Sequence, residues 1–242
     1  MAVTARARIG FLSSGRSGGS GSPGIGAFVP EDVHVDFIGL GQNREQNLYR
    51  RHEGTMEAQV SKINDVVSQH EWDGVAVSGA PREVLNPGIL QRLEDAVPIP
   101  IITAMGASVS ALRALGVGRV LSVTPFDGPL NKGIRDYIES AGIEAVSAPQ
   151  TVPDYTDAAK LTPDQVFALT ESAFQGAGPV DAIYFQGGVL DPLPLLQRLE
   201  DELETPVVTS NTAMLWHIVS RVGLSYHIKD AGRLLGTWPD IS

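Results

Sequence analysis

The sequence predicts an α/β protein made of two similar parallel-sheet lobes related by a pseudo-twofold axis, with a cleft between them. Three observations predict it. Short apolar runs read as buried strands, segments of helical spacing alternate with them, and an internal repeat divides the chain in two. The length of 242 residues suffices for two lobes of roughly 100–120 residues each.

The strand runs are Arg8-Ile-Gly-Phe-Leu12, Val33 to Ile38, Gly74-Val-Ala-Val77, Ile99 to Ile102, Arg119-Val-Leu-Ser-Val123, Ala182-Ile-Tyr-Phe185 and Pro206-Val-Val-Thr209. Short runs apolar on both parities fit a sheet covered on both faces. Between them, helical spacing covers Glu53 to Gln69, Gly88 to Asp95, Ala107 to Leu115, Pro129 to Ala141, Thr162 to Ala173, Leu193 to Leu203 and Thr212 to Val222. Thr162-Pro163-Asp164-Gln165 reads as an N-cap followed by proline at the first helical position. Alternation of this kind implies a parallel sheet with helices on both faces.

The repeat is the most informative feature. Leu90-Gln-Arg-Leu-Glu-Asp95 recurs as Leu196-Gln-Arg-Leu-Glu-Asp201. Each copy follows an Asp-led strand (Asp73 to Val77, Asp181 to Phe185) and a glycine-containing turn. Each precedes a Pro-led strand (Pro100-Ile-Ile-Thr103, Pro206-Val-Val-Thr209) and a further helix. The matching surroundings point to duplication. They divide the chain into a first lobe of residues 1–104 plus 210–242 and a second of residues 105–209. Ligands in such sheets bind beyond the carboxyl ends of the strands. The turns Ser78-Gly79-Ala80 and Gln186-Gly187-Gly188 are therefore expected to face one cleft and to carry the chemistry.

Composition narrows the function. A net charge of -10 argues against a protein that tracks nucleic-acid phosphates. The absence of cysteine excludes disulfides, thiolate zinc sites and thiol nucleophiles. Residues 1–8 lack the apolar core of a signal peptide, and no apolar run reaches membrane-spanning length, so a cytoplasmic protein without membrane attachment is expected. His34, His52, His70, His217 and His227 show no metal-ligand spacing, so no metal is expected. His217, beside Trp216 on a core-facing segment, reads as a buried residue rather than a base. The tryptophans Trp72, Trp216 and Trp238 read as packing or interface residues, and the chain is open to homo-oligomerisation.

Longer motifs carry a family resemblance. Ala111-Leu-Arg-Ala-Leu-Gly-Val-Gly-Arg-Val120 with Ser122-Val-Thr-Pro-Phe126 resembles the central segment of arylmalonate decarboxylases and maleate cis-trans isomerases, members of the Asp/Glu racemase superfamily. Pro206-Val-Val-Thr-Ser-Asn-Thr-Ala-Met-Leu-Trp216 and Ala231-Gly-Arg-Leu-Leu235 resemble their closing segments. The resemblance spans the chain from about Asp73 onward. It implies a pseudo-symmetric cleft in which the turn after each Asp-led strand carries a cysteine, the decarboxylases keeping only the second and having glycine at the first. Gly79 matches that glycine. Gly187, or Gln186 one residue earlier, stands where the remaining cysteine would be. Ala80 and Pro81 replace small hydroxyl residues, Phe126 replaces a tyrosine, and Met105 and Gly106 replace Ser and Thr. Thiol-dependent racemisation, isomerisation and protonation are therefore closed to this chain.

The resemblance, with glycine at position 79, implies a cofactor-independent lyase, decarboxylase-like, acting on a small carboxylate through an enediolate-type state; no side chain is identified as proton donor, and bound water is the candidate. Exposed N–H groups at Gly79, Ala80, Gly187 and Gly188 suit anions, although glycine serves turn geometry equally well. Gln186 and Ser78 are candidates to reach a substrate oxygen, with satisfaction of local backbone groups the alternative; Arg82 is a candidate to pair with a substrate carboxylate, and Phe126 to line the site. Glu83 and Asp191 form a candidate acid–base pair, with helix-dipole partnership the alternative. The stretch from Ser13 to Gly26 is glycine-rich, but the Gly19, Gly21, Gly24 spacing contains Pro23 and no Gly-Lys-Ser/Thr follows, so no nucleotide cofactor is expected. The resemblance implies a lid carrying Ser13, Ser14 and Arg16, with a merely flexible loop the alternative. Two other readings stay open: a carboxylate-binding protein that has lost catalysis, and a hydrolase or hydratase using Glu83 or Asp191.

Overall fold

In the computed structural model, which describes residues 5–15, 24–42, 47–150, 152–190 and 192–241, the apolar runs pair into two four-stranded parallel sheets. The first holds β1 (Ala7–Ser13), β2 (Val33–Gly39), β3 (Gly74–Val77) and β4 (Ile101–Thr103) in the order β2-β1-β3-β4. The second holds β5 (Arg119–Val123), β6 (Glu144–Ser147), β7 (Ala182–Phe185) and β8 (Val207–Thr209) in the order β6-β5-β7-β8. Strand for strand the two orders are the same, as the repeat requires. Two compact units contain them: Met1–Ala107 with Met214–Ser225, and Ser108–Ala213 with Tyr226–Ser242.

The first unit packs α1 (Leu48–His52), α2 (Met56–Val67), α3 (Ala80–Val84) and α4 (Ile89–Ala96) around its sheet. Val60, Ile63 and Val67 of α2 and Ile89 and Leu93 of α4 are buried, and they share one apolar core with Leu12, Val75, Val77 and Ile101. Gly10 on β1 lies against the Trp72 ring. A Cβ there would stand 2.7 Å from ring atom Cδ2, so no larger residue fits. The same indole donates from Nε1 to Asp36 Oδ2 at 2.7 Å, and the His70 ring stacks on it.

The second unit carries α6 (Gly128–Ser140), α7 (Pro163–Ala177), α8 (Leu196–Leu203) and α10 (Gly232–Thr237). Thr162 caps α7 as its spacing indicates: Oγ1 accepts from Gln165 N at 3.3 Å, while Gln165 Oε1 accepts from Thr162 N at 2.8 Å. Helices α5 (Ala104–Ala114) and α9 (Ser210–Arg221) follow directly on β4 and β8, and each begins in one unit and ends in the other.

The structure gives the repeat a physical basis. Asp73 Oδ2 accepts from the backbone of Arg8 at 2.7 Å, and Asp181 Oδ2 accepts from that of Arg119 at 2.8 Å. Each aspartate thus ties the start of its own strand to the neighbouring β1 or β5. Leu93 and Leu199, the second leucines of the two six-residue copies, are both fully buried. The copies have diverged around them. Glu94 is exposed, whereas Glu200 Oε1 accepts from Val207 N and Oε2 from Arg233 N, each at 2.7 Å, and burial raises its pKa. The expected helix from Leu193 begins instead as a 3₁₀ turn over Leu193–Leu195, where Pro194 lacks the N–H of a regular turn. Among the described residues no helix is long and apolar enough to cross a membrane.

Candidate functional site

In the first unit, β1 and β3 end side by side, with Leu12 opposite Val77. Ser78 N donates to Leu12 O at 2.8 Å, which sets the turn at the carboxyl edge of the sheet. Gly79 follows with φ 106° and ψ 97°, a conformation that favours glycine, and it opens α3 without any side-chain cap. Gly79 O accepts from Arg82 N at 3.1 Å. Ser13 Oγ accepts from Gly15 N at 3.3 Å, and Ser14 Oγ accepts from Arg82 Nη2 at 3.2 Å. Ser13, Ser14, Ser78, Gly79, Ala80 and Arg82 are therefore drawn together at one edge, from sequence positions up to 69 apart.

Arg82 is 1% exposed. Its guanidinium donates to Gln59 Oε1, to Ser14 Oγ, and to Gln42 Oε1 at 2.9 Å. Burial, with Arg51 close by, lowers its pKa to about 10, so it stays charged at neutral pH. The surrounding polar groups are buried too. Gln59 Nε2 donates to Thr55 Oγ1 at 2.6 Å, and Asn86 Nδ2 donates to His52 O at 2.8 Å. Burial first, then the charges of Arg82 and Arg51, hold His52 at about 3 and therefore neutral at pH 7. Glu83, in α3, accepts at Oε2 from Met105 N at 3.2 Å, in the first turn of α5.

In the second unit, the turn after β7 repeats this geometry. Gln186 N donates to Val123 O at 3.1 Å, the counterpart of Ser78 on Leu12. Gly187 has φ 106°, the value found at Gly79. Gly187 is thus the internal counterpart of Gly79, and Gln186 that of Ser78. The surroundings differ. A Cβ on Gly79 would meet nothing within 4 Å, whereas one on Gly187 would stand 3.0 Å from Pro125 Cδ and 3.4 Å from Phe126 Cζ. Phe126 is buried, its carbonyl held by Asn131 Nδ2 at 2.8 Å. Buried Gln186 accepts from the Tyr184 hydroxyl at Oε1, which leaves Nε2 as its donor. Gly188 is exposed, and a Cβ there would lie 3.9 Å from Asn211 Nδ2. Unlike Gly79, this pair does not open a helix directly: the 3₁₀ turn begins only at Leu193.

His217 is buried against Trp216, and desolvation lowers its pKa to about 4. Among the described residues no group of three or more His, Cys, Asp or Glu could hold a metal ion. Asp191 and Arg16 lie outside the described residues. Gln42 and Gln59 have no counterpart in the sequence reading, since no local motif marks them and their partner Arg82 lies 40 and 23 residues away.

With both turns in place, the likeness to known proteins can be weighed. The sequence profile described as arylmalonate decarboxylase matches residues 79–235, well over half of the chain. The chain belongs to the arylmalonate decarboxylase family. The maleate isomerase of Alcaligenes faecalis is 31% identical over 144 residues, 59% of this chain and 56% of that protein. The curated relatives first in similarity are matched over only 54–63% of their own length. A crystal structure of arylmalonate decarboxylase superposes with a TM-score of 0.79 over 95% of this chain and 99% of that one, at 22% identity. A cysteine-to-serine variant of the Nocardia farcinica maleate cis-trans isomerase, with a TM-score of 0.72 at 23% identity over 96% of this chain and 98% of that one, carries a covalently bound succinylcysteine intermediate. This chain has no cysteine thiol with which to form such an adduct.

Proposed function

We propose that the chain is a cofactor-independent lyase of decarboxylase type acting on a small carboxylate without a thiol. The observation that carries this reading is the family match itself. It begins at Gly79 and runs through Gly187, so it takes in both turns that share the same glycine geometry. Glycine turns of this kind expose backbone N–H groups, and such groups stabilise oxygens as negative charge develops on them.

Decarboxylation needs that stabilisation first. In a malonate-type substrate the bond between the α-carbon and one carboxylate breaks. Its electron pair passes into the remaining carboxylate as an enediolate, and carbon dioxide leaves. Water then protonates the α-carbon, and the hydroxide formed combines with carbon dioxide as bicarbonate. The first unit offers the N–H groups of Gly79 and Ala80 as donors of the kind an enediolate oxygen needs, and the second unit, by itself, offers those of Gly187 and Gly188 and the Nε2 donor of Gln186. None of them needs to change protonation state.

The lack of cysteine favours a second reading, in which the protein binds a small carboxylate and does not turn it over. Aryl- and alkylmalonates and maleate, incubated with folded protein and followed by NMR, separate the two. Consumption of a malonate or of maleate supports the enzyme, and the product names the reaction. Saturable binding with no conversion of any of them supports the binding protein.

A further inference from the structure

The first unit contains a charge that its described residues do not neutralise. The Arg82 side chain is buried, and among the described residues its Nε has no partner and the oxygens that its other nitrogens reach are neutral: Gln59 Oε1, Ser14 Oγ and Gln42 Oε1. Among the described residues no carboxylate lies within ion-pair distance of it, and its neighbour Glu83 directs a carboxylate oxygen to Met105 N instead. Among the described residues, a second cation, Arg51, also bears on it and lowers its pKa. A buried cation is costly unless negative charge lies near it, so Arg82 favours an anion close by.

The hydrogen-bond directions show where such an anion would be felt. Nη2 donates to both Ser14 Oγ and Gln42 Oε1. Because those oxygens accept, the Ser14 hydroxyl proton and the Gln42 Nε2 protons are free to point away from the arginine. Both residues are only part-buried, one just beyond the end of β1 and the other just beyond β2. They stand at the carboxyl edge of the sheet, where parallel sheets bind their ligands. Donors polarised by an adjacent guanidinium make stronger hydrogen bonds to an anion than neutral donors do.

We propose that Arg82 is a buried electrostatic anchor for a ligand carboxylate, presenting its charge through the Ser14 hydroxyl and the Gln42 amide. Arg82 is then a positioning residue, and Ser14 and Gln42 are the groups that touch the ligand. This rests on the proposed function only in taking the anion to be a carboxylate; it requires binding, not turnover.

Malonate binding measured by calorimetry at low salt tests it, with R82Q, R82K and S14A beside the native protein and circular dichroism to confirm folding. R82Q is expected to weaken malonate binding by about tenfold or more, the size of a lost charge-assisted interaction. R82K, which keeps the charge, is expected to recover most of that loss. S14A, with the guanidinium intact, is expected to weaken binding by about three- to tenfold. A merely structural arginine would make R82K as poor as R82Q and leave S14A unchanged. The proposal is overturned if S14A binds malonate as the native protein does, whether or not R82Q folds, or if a folded R82Q retains native affinity. Turnover lost everywhere while malonate still binds through Arg82 and Ser14 would remove the lyase reading alone. Turnover kept with native affinity in both variants would remove the anchor alone.

Discussion

Gly79 and Gly187 offer a matched pair in which one physical cause can be separated from another. Both have φ 106°, so adding a Cβ by Gly→Ala imposes a similar backbone penalty, about 1–3 kcal/mol for an L-residue held in such a region. At Gly79 nothing further is added, because the new methyl enters open space. At Gly187 it would lie 3.0 Å and 3.1 Å from the Cδ and Cγ atoms of Pro125 and 3.4 Å from Phe126. A proline ring has little freedom to retreat, and overpacking of this kind costs about a further 1–3 kcal/mol. For a chain of this size each kcal/mol lowers the melting midpoint by about 2–4 °C. Thermal melts of G79A and G187A followed by circular dichroism are therefore expected to show both variants destabilised, with G187A melting lower by about 2–12 °C. Equal midpoints would refute the steric reasoning, and a G79A as stable as the native protein would refute the backbone reasoning.

Other outcomes follow from the same structure. Thr162→Ala removes the reciprocal capping box of α7 and is expected to cost about 1 kcal/mol in urea unfolding. Glu83→Ala deprives Met105 N of its acceptor and is expected to cost about 1 kcal/mol, whereas Glu83→Gln keeps an oxygen there and loses only the charge on the α5 dipole, about 0.3–1 kcal/mol. His52 and His217 are held neutral, with pKa values of about 3 and about 4 against an ordinary 6.5. The unfolded chain binds these protons first, so stability is complete above pH 6.5 and falls as the pH drops towards 4. Urea midpoints measured from pH 7 to pH 4 are expected to decline less steeply in a His52→Gln, His217→Gln double variant than in the native protein.

The sequence made the sheets legible where burial is two-sided. Gly74–Val77, Arg119–Val123 and Ala182–Phe185 read as continuous apolar runs because helices cover both faces, and the strands occupy those residues. Strand β6 escaped the same rule. It is an edge strand whose ends are exposed, so Glu144 and Ser147 break the apolar run. Short helices such as α3, with five residues, are too brief for any period to register. The repeat pointed correctly to equal sheets because the groups it preserves, the two aspartates and the buried leucines, hold the same strand joints and cores. The candidate site was legible only in part. Gly79 and Gly187 could be placed by counting from the aspartates, but the neutral cradle of Arg82 joins residues from three distant segments and leaves no local trace. Charge and position marked Glu83 as a candidate acid; its bond to Met105 N, 22 residues away, left no local trace in the sequence.

The most direct test of thiol-free carboxylate chemistry is to incubate the protein with an arylmalonate in deuterated buffer containing excess iodoacetamide. Carbon dioxide release and deuterium at the α-carbon are then followed together. The expected result is one solvent deuteron incorporated for each carbon dioxide released, at a rate the alkylating reagent does not change. Folded protein that binds the malonate to saturation yet releases no carbon dioxide and incorporates no deuterium would contradict it.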